Sequence, residues 1–403
     1  MLRPVSSAYT ASDPPDSRRT ALIHLVGNAV NQSVDPANLP RPGLNFASQD
    51  YLALGQHPAI RAAALSALGQ HRLVAPGPAP RFGLTAPVLD LEARIAAFLN
   101  LPAATTFPSG SEAIRLTLGS LLCPGDDVIV DIGCHPAVAE TVSITKARLH
   151  RSPSASVEGA ERRLSRLSLQ TRRGKLVIVV PAVSAHGSRI AALDELSSLS
   201  RQHGATLVAD VTHDLGAMGP NGGGVMEIQG CLGRVDIVLG SFARSFAASG
   251  GFAAFRNPAL KASAHLGQWR TTALSPVNAS AILAALDIIT GEEGKRRRRN
   301  LHGIALRLRN HLMADGIKVM GKASPFVPIL LPMLTALPRT ALLESAGPLV
   351  TLLQAPNVPA HAPRWRLQLN ADHSPADIDD LAELIRDVSR TFDRQPARTR
   401  VPA

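Results

Sequence analysis

Residues 206–224 read TLVADVTHDLGAMGPNGGG, an apolar run that ends in an acid and leads into a glycine-rich loop. The β-branched and apolar residues of Thr206–Ala209 predict a strand, with Asp210 at its carboxyl end. Similar apolar runs occur elsewhere with amphipathic helical segments between them: Asp127–Asp131, Leu176–Val180 and Val235–Gly240. This β-α-β alternation predicts an α/β fold with a mainly parallel central sheet, and a functional site at the carboxyl ends of its strands.

The pattern changes after a helical region over Asn278–Leu312. A smaller α+β unit follows, with three short predicted strands and a closing helix: Ile317–Val319, Pro328–Leu331, Arg366–Leu369 and Pro375–Phe392. We expect an N-terminal segment over 1–55, a large domain over 56–285, a small C-terminal domain over 286–395 and a basic tail over 396–403.

Composition excludes several classes of protein. With 403 residues, 45% of them apolar and 18% charged, the chain is globular rather than disordered. Its three cysteines have unrelated spacings, which predicts neither a disulfide framework nor a metal site. The longest apolar stretch, Phe326–Leu353, is broken by four prolines, so no membrane span is expected. Met1–Thr20 has no apolar export core, and a cytoplasmic location is the expectation.

The net charge of +11 does not indicate a nucleic-acid-binding protein. The basic residues are scattered except at Lys295–Arg299. That run begins an amphipathic helix, so a solvated helix end explains it better than a nucleic-acid site.

Asp210 and His213 are the first candidates for chemistry. A carboxylate at a strand end can pair with the protonated ring nitrogen of a cofactor, and a histidine three residues later can reach the same ring. By itself the Asp-x-x-His pattern is more typical of a capping aspartate with a surface histidine.

The stretch 206–224 resembles the Asp-Glu-Ala-His-(Ser/Ala)-x-Gly-x-x-Gly-x-x-Gly-x-Gly signature of the α-oxoamine synthases. These fold-type-I pyridoxal 5′-phosphate (PLP) transferases condense an amino acid with an acyl-CoA, and 8-amino-7-oxononanoate synthase and serine palmitoyltransferase are members. The likeness extends from Leu44 to about Leu384. Residues 45–52 and the Ala53 that follows look like the family's Asn-Asp-Tyr-Leu-Gly-Leu segment, with Gln49 for Asn and Ala53 for Gly. The resemblance implies the family's fold, its PLP cofactor, an amino acid and an acyl-CoA or acyl-carrier as substrates, and a dimer.

The resemblance also implies which residues bind the cofactor and substrate. Ser109, Gly110 and Ser111 match a turn whose amides meet the cofactor phosphate at a helix N-terminus. His135 matches a histidine that stacks on the pyridine ring and serves acid–base steps, and Asp210 and His213 match the residues that engage the ring. Further matches are a cofactor-contacting serine at Ser184 or Ala185, a threonine that crosses the dimer interface to the partner's phosphate site at Thr272, and a substrate-carboxylate arginine at Arg364, with Arg366 as a near alternative.

At the Schiff-base position the sequence departs from the family. The family reads (Thr/Ser)-x-Ser-Lys-(Ala/Ser)-(Leu/Phe)-Gly-Gly-x-Gly-Gly-(Phe/Tyr), whereas residues 241–252 read SFARSFAASGGF. Ser241 keeps the first cofactor-binding hydroxyl, Arg244 stands in the place of the lysine, and Ala247 and Ala248 replace two glycines. Arginine stays protonated and delocalised, so Arg244 is not expected to form the Schiff base.

Three hypotheses follow, and whether the chain is itself an enzyme stays open. It is a non-catalytic subunit that pairs with a lysine-bearing homologue in an amino acid:acyl-CoA acyltransferase, as a homodimer or heterodimer. Alternatively, it is an enzyme that holds PLP, or the aldimine of PLP, non-covalently. In the third hypothesis it is a degenerate anion-binding or regulatory protein. Fold alone does not choose among them.

Overall fold

The computed structural model describes residues 45–169 and 174–393. The predicted tail at 396–403 and most of the predicted N-terminal segment lie outside these residues. The boundaries expected between domains stay a prediction.

A seven-stranded sheet forms the centre of the fold. Its spatial order is β2-β8-β7-β6-β5-β3-β4. The strands are β2 (Ala103–Phe107), β3 (Asp127–Asp131), β4 (Arg148–Ser152), β5 (Leu176–Pro181), β6 (Thr206–Asp210), β7 (Ile237–Ser241) and β8 (Gly251–Phe255). All neighbouring pairs are parallel except those of β8, which runs antiparallel to both β2 and β7. The predicted α/β fold with a mainly parallel sheet is therefore confirmed.

A second, four-stranded sheet has the order β1-β10-β11-β9. Its strands are β1 (Asn45–Phe46), β9 (Phe326–Leu330), β10 (Leu349–Leu353) and β11 (Arg364–Gln368). Because β1 pairs in parallel with β10, this sheet combines residues from before and after the large sheet in the chain. The predicted strand at Ile317–Val319 is wrong: Val319 makes only an isolated bridge to Ile329.

Helices pack around both sheets. They are α1 (Pro58–Gln70), α2 (Ala86–Phe98), α3 (Gly110–Leu121), α4 (Pro136–Ile144), α5 (Val157–Ser168), α6 (Leu193–Gln202), α7 (Gly224–Ile228), α8 (Ala259–Gln268), α9 (Pro276–Thr290), α10 (Glu292–Ala314), α11 (Ala336–Ser345) and α12 (Pro375–Asp393). The predicted helical region over Asn278–Leu312 is two helices, since extended backbone at Gly291 separates α9 from α10. The predicted closing helix is α12.

The core lies on both faces of the large sheet. β5 is buried along its whole length, which explains its unbroken run of valine, isoleucine and leucine. Two clusters of buried apolar side chains cover the two faces. None of the helices in the described ranges is long and apolar enough to cross a membrane.

Candidate functional site

The carboxyl ends of β6 and β7 and the N-termini of α3 and α4 bring most of the predicted residues to one edge of the large sheet. Ser109 caps α3, and its Oγ accepts a hydrogen bond from the Glu112 amide at 3.2 Å. Within the described residues, the amides of Gly110 and Ser111 have no acceptor. A helix N-terminus with free amides favours an anion.

Ser241 packs directly against this N-terminus. A Cβ on Gly110 would lie 2.6 Å from the Ser241 Cβ, so glycine is the residue that allows this approach. Ser241 ends β7, and its Oγ accepts from the Ala243 amide at 3.3 Å. The turn at Gly110 and the end of β7 therefore form one small anion-binding candidate.

Asp210 ends β6 and is only 8% exposed. Its Oδ1 accepts from the Thr212 amide at 3.0 Å. Burial raises the pKa of Asp210, and the hydrogen bonds from Thr212 partly oppose this effect. A buried carboxylate of this kind gains most from a cationic partner, such as a protonated ring nitrogen.

His213 follows on the same turn and contacts two aromatic residues. The Tyr51 hydroxyl lies 2.9 Å from His213 Nδ1, and the His213 ring meets the Phe326 ring edge-on, with centroids 5.5 Å apart. Burial lowers the pKa of His213 well below its usual range, and the nearby Arg244 and Arg366 add to this effect. His213 is therefore neutral at physiological pH. Burial also raises the pKa of Tyr51 to about 12.

Arg244 lies on the loop that follows β7, between two buried phenylalanines. Phe242 and Phe246 are at most 1% exposed, and their ring centroids lie 5.3 Å apart in an edge-on arrangement. The packing of these two rings holds the backbone on both sides of Arg244. The Arg244 side chain is itself half-buried. Its Nε is buried and lacks a partner, and its guanidinium makes no hydrogen bond or ion pair within the described residues.

Two histidines line a cavity of about 450 Å³ beside this edge. His135 caps α4, where its Nδ1 accepts from the Ala137 amide at 3.2 Å, and its side chain is otherwise exposed. His186 faces it across the cavity, and burial, together with Arg366 and Arg364, lowers its pKa. His186 was not among the sequence-predicted residues, because its Ser-Ala-His-Gly context carries no recognisable motif.

The two candidate arginines of β11 differ in how they are engaged. Arg364 is 7% exposed, and its guanidinium donates to the carbonyls of Ala362 and His186 at 3.0–3.1 Å. Arg366 makes one long contact, 3.5 Å to the Ala185 carbonyl, and its Nε is buried without a partner. Arg366 therefore retains more donor capacity for a ligand than Arg364.

Similar proteins identify the family. A family described as "Aminotransferase class I and II" matches residues 41–385. The 8-amino-7-oxononanoate synthase of Anaeromyxobacter sp. (strain K) is 33% identical over 346 residues, which cover 83% of this chain and 84% of the relative. That of Marinobacter nauticus is 31% identical over 365 residues, with 88% and 90% covered. This chain belongs to the α-oxoamine synthases.

Solved structures agree on the fold of this α-oxoamine synthase homologue. Sphingomonas wittichii serine palmitoyltransferase has a TM-score of 0.84 and 23% identity, with 96% of this chain and 100% of that chain covered. A Lys→Ala variant of serine palmitoyltransferase from S. paucimobilis, with a bound PLP–myriocin aldimine, has a TM-score of 0.83 and 22% identity, with 95% and 100% covered. The predicted fold-type-I transferase fold is confirmed.

The α-oxoamine synthase family uses PLP, and the residues at this edge of the sheet suit part of that cofactor. Free amides at α3 suit a phosphate, and the buried Asp210 carboxylate suits a protonated pyridine nitrogen. The residues present therefore fit the non-covalent contacts of the cofactor. The lysines at 175, 261 and 295 bind the Leu121 carbonyl, Glu92 and Glu292. The absence of covalent attachment stays a prediction.

Two further predicted residues have contrasting surroundings. Ser184 is 2% exposed, and its Oγ accepts from the Arg189 amide at 3.1 Å within its own loop. Its contact with the cofactor stays a prediction. Thr272 is exposed and follows Thr271, whose hydroxyl donates to Glu112 in the first turn of α3 at 2.8 Å. This position connects Thr272 to the anion-binding end of α3.

Two replaced glycines of this α-oxoamine synthase homologue lie in strained backbone. Ala53 and Ala247 both have a φ of 53°, in the left-handed region that glycine adopts freely. Each alanine carries a steric penalty of roughly 1 kcal/mol there. At both positions this chain therefore has alanine in a backbone conformation that favours glycine.

Asp214 is a buried acid that sequence reasoning did not single out. It is fully buried, its Oδ2 accepts from the Val225 amide at 2.8 Å, and its Oδ1 has no partner within the described part of the chain. Burial raises its pKa to about 8, and the neighbouring charge of Asp210 adds to the rise. The family motif has serine or alanine at this position, and that difference was the available signal.

Proposed function

We propose that this chain is an α-oxoamine synthase homologue that cannot attach PLP covalently and acts as a partner-dependent subunit of an amino acid:acyl-CoA acyltransferase. The observation that carries this proposal is Arg244, a half-buried and unpaired guanidinium at the position of the family's Schiff-base lysine. An arginine in this place is protonated at any working pH, and its nitrogens are delocalised. It therefore supplies no nucleophilic amine.

The remaining residues support a site that still binds the cofactor. When bound, PLP acts as an electron sink that stabilises a carbanion on the substrate. In this chain the free amides of α3 would hold its phosphate, and the Asp210 carboxylate would keep a proton on the ring nitrogen. His135 would contact the ring, and the neutral His213, held by the Tyr51 hydroxyl, would offer a hydrogen-bonding group beside it.

An exposed apolar surface supports assembly with a second subunit. We call this the Thr272 surface; its exposed apolar side chains are those of Leu73, Val74, Phe82, Leu266 and Trp269. The Ser275 hydroxyl binds the Leu73 carbonyl at 2.6 Å, and a Cβ on Gly83 would collide with that of Ala273, so these segments pack around residues 273–275. Exposed apolar side chains in this number favour a protein partner. We infer a dimer burying upwards of roughly 2,000 Å² in total.

This assembly gives the chain a role without catalysis of its own. Thr272 is exposed on that surface, where it can reach the phosphate site of a lysine-bearing partner. Activity then requires that partner, and this chain completes the partner's site.

A second candidate function is catalysis with non-covalently held cofactor. The Lys→Ala variant of serine palmitoyltransferase named above has a PLP–myriocin aldimine bound. A site of this fold can therefore hold such a ligand after the loss of a lysine. Because Asp210 and the free amides of α3 are present, we expect this chain to hold such a ligand as well.

Covalent attachment is tested directly by reduction. The purified chain is incubated with PLP, treated with borohydride and analysed by peptide mass spectrometry. We expect no pyridoxyl group on any lysine of the folded chain, and a pyridoxyl group at residue 244 in the matched variant Arg244→Lys. A labelled native lysine in the folded wild type would refute the proposal.

Partner dependence is tested by co-expression. The chain is purified alone and with its nearest lysine-bearing relative from the same genome, and amino-acid-dependent CoA release is assayed. We expect turnover only from the pair, with loss of that turnover when the partner's lysine is replaced. A stable monomer, or turnover by this chain alone that survives Arg244→Ala, would eliminate the partner-subunit role. Turnover by the chain without a partner would favour the second candidate function.

A further inference from the structure

A cavity of about 680 Å³ lies between the glycine-rich loop that follows β6 and the helix α10. Its loop wall is formed by residues 217–221, and its helix wall by residues of α10 between 295 and 303. None of the residues assigned above to the cofactor or the substrate lines it. A cavity of this volume suits a small organic ligand.

A glycine in the helix wall has no structural reason to be glycine. Gly303 lines the cavity and lies near the middle of α10, a helix of 23 residues. Glycine in a helix interior is destabilising relative to almost any other residue. A Cβ at Gly303 would meet no atom within 4 Å, and the residue does not have a positive φ. Since neither packing nor backbone requires glycine here, its effect is to keep space open beside the helix wall.

The helix wall is basic. Lys295, Arg298 and Arg299 line the cavity, and no acidic side chain of the described residues does so. Lys295 pairs with Glu292 at 2.8 Å. Arg299 is exposed, and it forms no ion pair within 4.0 Å in the part of the chain that the structure describes. The Arg299 guanidinium therefore has its donors available for an anionic group.

Arg298 holds the two walls together and adds a buried charge. It is only 4% exposed, and its guanidinium donates to the Ile289 carbonyl at 2.7 Å and to the Pro220 carbonyl in the loop wall at 2.9 Å. Its Nε is buried without a partner in the described residues. Glu227 acts on this charge from beyond ion-pair distance, and its carboxylate accepts from the Asn221 amide at 3.0 Å. A buried cation with so little compensation is stabilised by an anion in the adjacent cavity.

Apolar side chains supply much of the remaining lining. Met218 comes from the loop, Leu301 from α10 and Ile228 from the end of α7. The Ile228 side chain is 56% exposed. An apolar chain placed on these residues would remove their surface from water.

We propose that this cavity binds an amphipathic carboxylate, which is an apolar chain with one anionic head. The chain lies on Met218, Ile228 and Leu301. The head meets the paired donors of Arg299 at the basic wall, where the charge of Arg298 adds to the attraction. This ligand site goes beyond the proposed function, because it requires neither PLP nor a partner subunit.

Three probes separate the two parts of the ligand. Decanoate has the chain and the head, decan-1-ol has only the chain, and acetate has only the head. Their dissociation constants are measured by calorimetry on the full-length wild type, Gly303→Leu and Arg299→Gln. Gly69→Leu is the matched control, since Gly69 is a helical glycine of α1 whose Cβ would also meet no atom within 4 Å, and it does not line the cavity.

We expect the wild type to bind decanoate about tenfold or more tightly than decan-1-ol, and acetate too weakly to measure. Gly303→Leu should weaken decanoate binding about tenfold or more, because its side chain occupies the cavity. Its Tm should stay the same or rise, since leucine favours a helix more than glycine does, and this shows that the variant is folded. Arg299→Gln should reduce the preference for decanoate to below about threefold, and Gly69→Leu should keep the wild-type affinities.

The opposite results overturn the proposal. Equal affinities of the wild type for decanoate and decan-1-ol would refute the anionic head, and decanoate binding that is unchanged in Gly303→Leu would refute the location. Failure of the wild type to bind decanoate would refute the site as a whole. The proposed function stands or falls separately, by the borohydride and co-expression experiments.

Discussion

Replacing Asp214 by asparagine should stabilise this protein in a strongly pH-dependent way. Asp214 is fully buried, with one carboxylate oxygen on the Val225 amide and the other without a partner in the described residues. Burial raises its pKa to about 8, against 3.8 in its unperturbed state. The folded chain must therefore carry a protonated acid at neutral pH, whereas the unfolded chain ionises it.

The magnitude follows from linkage. The folded state binds this proton more tightly than the unfolded state does, so stability falls as pH rises between about 4 and about 8, and levels off above that range. At pH 7 the penalty reaches about 4 kcal/mol, from roughly three pH units at 1.36 kcal/mol each. Asparagine keeps an acceptor for the Val225 amide and does not titrate. The gain in unfolding free energy of Asp214→Asn over the wild type should be near zero at pH 4 and approach about 4 kcal/mol at pH 7.

Thermal unfolding followed by circular dichroism from pH 4.5 to pH 8 measures this difference. For a chain of this length, 4 kcal/mol corresponds to a rise in Tm of roughly 5 °C. Asp214→Ser, which restores a residue that the family motif allows, should show the same trend. Asp380→Asn, at an exposed site, serves as the control and should give no pH-dependent difference. Wild-type and Asp214→Asn curves that run parallel across the range would refute the reasoning.

Three other predictions follow from the site and the surface. Ala247→Gly relieves a φ of 53° and should stabilise the chain by about 0.5–1 kcal/mol in denaturant titrations, whereas the same change at the helical Ala285 should destabilise it. Asp210→Ala removes a charge-assisted hydrogen bond of roughly 1.5–3 kcal/mol and should weaken PLP binding about tenfold or more; equal affinities by fluorescence titration would show that the site does not engage a pyridine ring. Trp269→Glu places a charge on the Thr272 surface and should shift the chain toward monomer in sedimentation experiments, while Leu169→Glu, an exposed apolar position on the segment after α5, should not.

Local sequence was sufficient for the buried parallel strands and for the family motifs. β3, β5 and β6 are short apolar runs because both faces of a parallel sheet are covered. Such runs can be recognised in the sequence without knowing which strands pair with them. The order of motifs also located Asp210 and Arg244, since their spacing to the flanking strands needs no knowledge of distant contacts.

The edge strand β4 and the break between α9 and α10 could not be predicted from local sequence. β4, with the sequence RLHRS, was missed because it lies at an edge of the sheet and is largely unburied, so no apolar pattern marks it. The division of one predicted helical region at Gly291 depends on the backbone conformation of a single residue, which helical periodicity does not reveal.

The tertiary structure alone decided the electrostatics of the site. Arg244 and Arg366 are far apart in the chain, yet in the fold both lie near enough to Tyr51 to oppose the rise of its pKa. The burial of Asp214 and the left-handed backbone at Ala53 and Ala247 likewise depend on what surrounds those residues. Sequence specifies the residue types in order along the chain, whereas charge, pKa and strain arise from distances between residues that only the complete fold sets.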